Sequence, residues 1–136
     1  MPDDATQERG TLTVLGSEAR SPIAHVECFP APAGVSLVTF RTDELSSICP
    51  VTRQPDIAEL VIEYVPGPWC IESKSLKLYL WSFRDRAVFA EALAVEIAEE
   101  IDRTAAPRRV SVTLRQRPRG GISVEARADR TAGTGT

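Results

Sequence analysis

The chain has 136 residues, of which 43% are hydrophobic and 26% charged, with a formal net charge of −3. That length supports one ordinary domain with a core of its own, and the balance excludes both a disordered and a membrane-embedded chain. An acidic pI near 5.2 argues against bulk electrostatic binding of nucleic acid and leaves only a local basic patch open. No apolar run approaches the roughly 20 residues of a transmembrane helix, and the N-terminus Met-Pro-Asp-Asp-Ala-Thr-Gln-Glu-Arg lacks a signal-like apolar region. A cytoplasmic protein is expected. Its three widely spaced cysteines fit a reducing compartment better than a disulfide framework.

In chain order, residues 1–10 are expected to form a disordered tail, residues 11–126 a single domain, and residues 127–136 a second tail. Thr11-Leu-Thr-Val-Leu15 is a short apolar segment. Residues 17–34, rich in Pro, Ala and Ser, read as an extended loop carrying His25 and Cys28. Val35 to Arg41 alternates as a strand with apolar residues on both faces. Ile57 to Val65 reads as a second strand, with Ala58, Leu60, Ile62 and Tyr64 on one face and Glu59, Val61 and Glu63 on the other. Pro66-Gly-Pro68 breaks the chain. The next segment, Glu72 to Arg84, is ambiguous by period, and helix is preferred. Ser73 is a plausible N-cap, and a helical register gathers Lys74, Lys77, Trp81 and Arg84 on one face. A clearer helix runs from about Arg86 to Arg103, where Phe89, Leu93, Ile97 and Ile101 recur every fourth residue. Val110–Arg115 and Ile122–Ala126 read as strands joined through Pro118-Arg-Gly-Gly121. Two strands, two helices and two strands imply an α+β fold, an antiparallel sheet with helices on one face.

The most informative stretch is Ser46-Ser-Ile-Cys-Pro-Val-Thr-Arg-Gln-Pro-Asp56. It sets a thiol and a carboxyl on one short connection between strands, where a rigid scaffold commonly presents reactive groups. Pro50 and Pro55 restrain the backbone, including that of Cys49 before Pro50. A thiol acts as nucleophile in its thiolate form, and an acid such as Asp56 is useful if it can hand over a proton. On residue types alone, an inert buried cysteine and a turn aspartate are the commoner arrangement. A second candidate is the start of the first helix, where Lys74, Lys77, free N–H groups and the dipole attract phosphate. Arg119 with Gly120 and Gly121 adds a possible anion-binding turn. Glu72 and Glu91 form a third, because a carboxylate matches adjacent N–H donors on a guanine-like base edge. For these two groups a solvated charged face is the ordinary alternative. A zinc site from His25, Cys28, Cys49 and Cys70 is disfavoured by spacing, with His25-x-x-Cys28 the only close pair. No metal is expected.

Three ordered motifs change these weights: Glu44-Leu-Ser-Ser-Ile-Cys-Pro-Val-Thr-Arg-Gln-Pro-Asp56, Glu72-Ser-Lys-Ser-Leu-Lys-Leu-Tyr79, and Pro118-Arg-Gly-Gly-Ile-Ser123. Together they resemble the NADPH-dependent 7-cyano-7-deazaguanine reductases, the nitrile reductases of queuosine biosynthesis, in their single-domain form. The resemblance covers roughly Leu12 to Glu125. It implies the tunnelling fold, a ββααββ unit that assembles into a ring-shaped homo-oligomer with active sites between subunits. It also implies a small-molecule deazaguanine substrate and no direct contact with nucleic acid or membrane. By the same resemblance, Cys49 is the nucleophile that forms a thioimide and Asp56 is the proton donor. Ile71, Glu72 and Ser73 line the substrate, and Glu91 binds the base. Lys74, Lys77 and Arg119 are expected to hold NADPH. The family often has Phe-His-Glu-Asp where this chain has Phe89-Ala-Glu-Ala92, so Ala90 occupies the substrate-site position of that histidine. Two further activities remain open: an amidine-forming relative on the same fold, in which ammonia attacks the thioimide, and a non-catalytic deazapurine-binding protein.

Overall fold

The computed structural model describes residues 23–132. The expected tail at 1–10 and the apolar segment at 11–15 lie outside them. Six strands and two helices follow in the order β1 (Cys28–Pro30), β2 (Val38–Ile48), β3 (Pro55–Val65), β4 (Trp69–Ile71), α1 (Ser73–Trp81), α2 (Ala90–Ala105), β5 (Arg109–Gln116) and β6 (Glu125–Thr131). Four of the strands form an antiparallel sheet in the order β2-β3-β5-β6, and β1 pairs with β4 as a separate two-stranded ribbon. The α+β architecture expected from the sequence is therefore present, with two additions. The segment expected as a plain loop contains β1, and the chain after the Pro66–Pro68 break contains β4.

Alternation along β3 sets the core. Ala58, Leu60, Ile62 and Tyr64 point under the helices and are buried, while Ile57 and Glu59 are exposed on the other face. On β5, Val110, Val112 and Leu114 continue that apolar face. Against it α2 lays Leu93, Ala94, Ile97, Ala98 and Ile101, an apolar stripe at helical spacing. The shorter α1 adds Leu76 and Tyr79, and the Tyr79 ring meets Phe83 edge-on at 5.1 Å. A register shift between Thr42 and Leu45 bends β2 over this core.

Several boundaries differ from expectation for identifiable reasons. The N-cap of α1 is Glu72, not Ser73, because the Glu72 carboxylate accepts from the amides of Lys74 and Ser75. The second helix starts at Ala90, not Arg86. Residues 86–88 are instead held beside β2, with the Ile48 amide donating to the Arg86 carbonyl at 2.8 Å and the Val88 amide to the Ile48 carbonyl at 3.1 Å. The last strand is β6 at Glu125–Thr131, so residues 127–131 belong to the sheet and not to a tail. Its inward residues are Ala126, Ala128 and Arg130, opposite Leu114, Val112 and Val110, and Arg130 is secured by an ion pair with Asp102 of α2 at 3.0 Å. Asp56, expected on the connection, is the second residue of β3.

Candidate active site

The β2–β3 hairpin builds the site. Its strands run antiparallel to the pair Ile48–Pro55, and Cys49 begins the connection. The Cys49 amide donates to the Gln54 carbonyl and the Arg53 amide to the Cys49 carbonyl, both at 2.9 Å. Arg53 adopts a positive φ of 63°, a left-handed turn conformation costly for a residue with a Cβ, and these hydrogen bonds hold it there. The Cys49 thiol is only partly buried, unlike Cys28 and Cys70. The Thr52 hydroxyl, followed by the backbone amides of Thr52 and Val51, pulls the thiol below its ordinary value, while the nearby Asp56 charge works in the opposite direction. The Thr52 amide lies 3.5 Å from Sγ. Donors aimed at sulfur favour thiolate, the nucleophilic form.

Asp56 shares the inner face of β3 with Ala58 and Leu60 and is 8% exposed. Opposite it in register is Ser47, also buried. A buried carboxylate requires a partner, and Arg119 supplies it: Nη1 donates to Asp56 Oδ1 at 2.8 Å and to the Pro55 carbonyl at 2.9 Å. Nη2 donates to Gln54 Oε1. Arg119 stands at the base of a two-residue turn. Its amide donates to the Ile122 carbonyl at 2.8 Å, and the Ile122 amide returns a bond at 3.1 Å. Gly120 and Gly121 have φ of 60° and 81°, the left-handed pair that such a turn requires. The Pro118–Gly121 motif thus folds back onto the Cys49–Asp56 hairpin.

The residues expected to line the substrate divide between two other places. Ile71, Glu72 and Ser73 form the junction of β4 and α1. The Ile71 amide donates to the Tyr64 hydroxyl at 2.9 Å. Glu72 is 6% exposed, with its oxygens on the Ser75 amide at 2.7 Å and the Lys74 amide at 2.9 Å. Two of the α1 amides proposed as a phosphate cradle are therefore occupied by the protein's own carboxylate. Lys74 and Lys77 remain as cations beside that helix end. Ala90 and Glu91 open α2. Ala90 is buried, whereas Glu91 is exposed in the first turn, where its charge complements the helix dipole. Because residues 86–88 are bonded to Ile48, the start of α2 follows directly on the strand end that carries Cys49.

A cavity of about 390 Å³ lies between β2, β3 and α1. Phe40, Leu45 and Ile62 form its apolar wall, and Ser73, Lys77 and Trp81 its helical side. It takes in two expected binding residues but neither Cys49 nor Asp56. Among the described residues, no group of three or more His, Cys, Asp or Glu is placed to hold a metal ion, and no helix is long and apolar enough to cross a membrane. Sequence reasoning did not single out Thr52, Ser47 or Gln54, and it gave Arg119 no link to Asp56. No local signal marks them, since each matters only through the hairpin register and the returning turn.

Comparisons with known proteins place the chain in a family. Residues 55–134 match the family model described as QueF-like protein. The chain belongs to the QueF-like family. It is 42% identical over 125 residues to the NADPH-dependent 7-cyano-7-deazaguanine reductase of Syntrophus aciditrophicus, covering 90% of this chain and 89% of that protein. To the reductase of the same name from Ruegeria pomeroyi it is 44% identical over 120 residues, covering 84% and 77%. Among solved structures, an archaeosine synthase QueF-Like in the apo form superposes with a TM-score of 0.67 at 30% identity, covering 71% of this chain and 94% of that one. The fold of this chain is thus the tunnelling-fold unit implied by its motifs.

Proposed function

We propose that this protein reduces the nitrile of 7-cyano-7-deazaguanine to the primary amine, 7-aminomethyl-7-deazaguanine, at the expense of two NADPH, a step of queuosine biosynthesis. The observation that carries this reading is a partly exposed thiol, shifted toward thiolate by Thr52 and the adjacent amides, on the same hairpin as a buried and ion-paired carboxyl. Identity of 42–44% with reductases over most of both chains supports the choice of reaction.

The chemistry follows from those groups. A nitrile is a poor hydride acceptor, and thiolate addition turns it into a protonatable C=N. The Cys49 thiol gives its proton to the Asp56 carboxylate, the sulfur bonds to the nitrile carbon, one C≡N π bond breaks, and the nitrogen takes that proton from Asp56 to give the thioimide. NADPH, when bound, supplies the two hydrides that carry the carbon to the amine, with release of the thiol. Lys77, on the 390 Å³ cavity, and its helix neighbour Lys74 are suited to the dinucleotide: lysines for phosphate and an apolar wall with Trp81 for a ring. Arg119 has further N–H donors beyond those given to the hairpin. Ile71, Glu72, Ser73 and Glu91 are assigned to the deazaguanine, with Ala90 at the position of the family histidine.

Self-association belongs to this reading. β2 and β6 are the outer strands of the four-stranded sheet, and pairing of β2 in one copy with β6 in the next would extend it into a ring that brings sites together between subunits. Light scattering of the purified protein tests this, and a monomer would remove it.

The deciding assay follows loss of reduced-nicotinamide absorbance with 7-cyano-7-deazaguanine, using Cys49→Ala as control. Turnover of two NADPH per amine, absent in the variant, is expected. One observation favours a second reading: the structural likeness to an archaeosine synthase points to ammonia as an alternative attacking group, giving an amidine. A substrate-dependent mass increase on Cys49 with no NADPH oxidation, followed by release of amidine on adding ammonium, would replace the reductase with that activity. Absence of any Cys49 adduct would leave only deazapurine binding.

A further inference from the structure

Arg119 gives three consecutive residues leading into β3 a donor each: the Gln54 side chain, the Pro55 carbonyl and the Asp56 carboxylate. A planar guanidinium satisfying three acceptors along one strand has little freedom to rotate. It fixes the Asp56 carboxylate about its last torsion, with Oδ1 at 2.8 Å from Nη1. Oδ2 makes no side-chain or backbone hydrogen bond among the described residues, so it is the oxygen left for proton traffic. The backbone that delivers Arg119 is equally constrained. Its turn is closed by two reciprocal amide bonds and needs positive φ at both glycines. None of this arrangement requires cofactor, because it is complete in the chain alone.

We infer that Arg119 is a positioning residue for the carbon–sulfur bond-forming step, acting through Asp56, in addition to any contact it makes with cofactor phosphate. This rests on the proposed thioimide chemistry. In that step the thiol S–H adds across C≡N: sulfur bonds to carbon, the π electron pair moves to nitrogen, and the thiol proton passes to that nitrogen by way of Asp56 Oδ2. The step consumes no hydride and no NADPH. A residue that serves only cofactor phosphate has no part in it, whereas one that aims the Asp56 carboxylate does.

The two roles separate in a cofactor-free reaction. Protein is mixed with 7-cyano-7-deazaguanine without NADPH, and the mass increase on Cys49 is followed over time in wild type, Arg119→Gln, Arg119→Lys, Asp56→Asn and the double variant Arg119→Gln/Asp56→Asn. General acid–base catalysis contributes about 10²- to 10⁴-fold, so loss of aim is expected to slow adduct formation about 10-fold or more in Arg119→Gln. Arg119→Lys keeps the charge but cannot serve all three acceptors, and is expected to recover only part of the rate. In the Asp56→Asn background, Arg119→Gln should add little, since the two act as a unit. Unchanged adduct rates in Arg119→Gln, with only a raised KM for NADPH in turnover, would overturn the inference and leave the reductase standing. Independent, multiplicative losses in the double variant would overturn it too. If wild type formed no adduct, the thioimide chemistry itself would fall, and the inference with it. Thermal unfolding of each variant distinguishes a slowed reaction from a lost fold.

Discussion

Glu72 offers the sharpest test of how the helix start is built. Its carboxylate is 6% exposed and accepts from two amides, Ser75 N at 2.7 Å and Lys74 N at 2.9 Å. Glu72→Ala removes both acceptors and leaves two N–H groups at a helix end with no protein partner. Loss of an N-cap costs about 0.5–2 kcal/mol, and here the bonds are charge-assisted and lie on the positive end of the helix dipole. A loss of about 2 kcal/mol is therefore expected. At about 4 °C per kcal/mol for a domain of this size, the melting temperature should fall by about 8 °C. Glu72→Gln keeps a carbonyl acceptor and should lose about half as much. Differential scanning calorimetry at fixed protein concentration reads the difference. A melting temperature within about 1 °C of wild type for Glu72→Ala, well below the fall expected from cap loss, would refute the capping argument. Loss of substrate binding in that variant would then reflect direct contact with the base.

Two further outcomes follow from the same hydrogen-bond geometry. Thr52→Val removes the hydroxyl that contributes most to lowering the Cys49 value. The thiolate fraction falls as pH drops through that value, so the inflection in iodoacetamide alkylation of Cys49, followed by mass spectrometry, should lie below that of a free thiol in wild type and shift upward in the variant. The backbone amides of Thr52 and Val51 remain, so the shift should stop short of the ordinary value. Tyr64→Phe leaves the Ile71 amide, bonded at 2.9 Å, without its acceptor, at an expected cost of about 1–3 kcal/mol in denaturant unfolding. Burial pushes the Tyr64 phenol far up, so the phenol stays neutral, and the stability difference from wild type should be flat between about pH 6 and 9; a difference that changed across that range would contradict the assignment.

The sequence made the central elements legible because period and burial coincide there. β3 alternates cleanly, and α2 repeats every fourth residue, so both were readable without tertiary information. β6 was not, because its inward side chains are Ala126, Ala128 and Arg130 and its outward ones Glu125, Arg127, Asp129 and Thr131. A strand whose core face is small or charged looks like a tail until its partner strand and the Asp102 carboxylate are in view. β1 and β4 are three residues each, too short for any period, and only their mutual pairing defines them. Within the site, Cys49 and Asp56 drew notice by sharing one short connection, but their roles came only from the resemblance of the surrounding motif. The clamp on Asp56 drew none, since Arg119 is 63 residues away in sequence. The preference for Ser73 as N-cap followed residue statistics, and it failed because the preceding glutamate reaches two amides at once.

If Cys49 is the nucleophile, as proposed, its placement meets two conflicting demands. Its sulfur must be reachable, yet its direction must be set before substrate arrives, because a misplaced attacking atom forfeits the gain from proximity. The chain meets both by fixing the backbone and leaving the thiol only partly covered. On one side, Ile48 exchanges bonds of 2.8 and 3.1 Å with residues 86 and 88, tying the strand end to the approach of α2. On the other, Cys49 exchanges bonds of 2.9 Å with Gln54 and Arg53 across the connection. Pro50 and Pro55 remove backbone freedom on either side of the turn. The Thr52 hydroxyl, and after it the amides of Thr52 and Val51, are then free to face sulfur, which is why the thiol shifts toward thiolate without a histidine or lysine beside it. The turn is therefore both the support and the activating group. Substitutions that loosen it should cost reactivity even where no side chain in contact with substrate has changed.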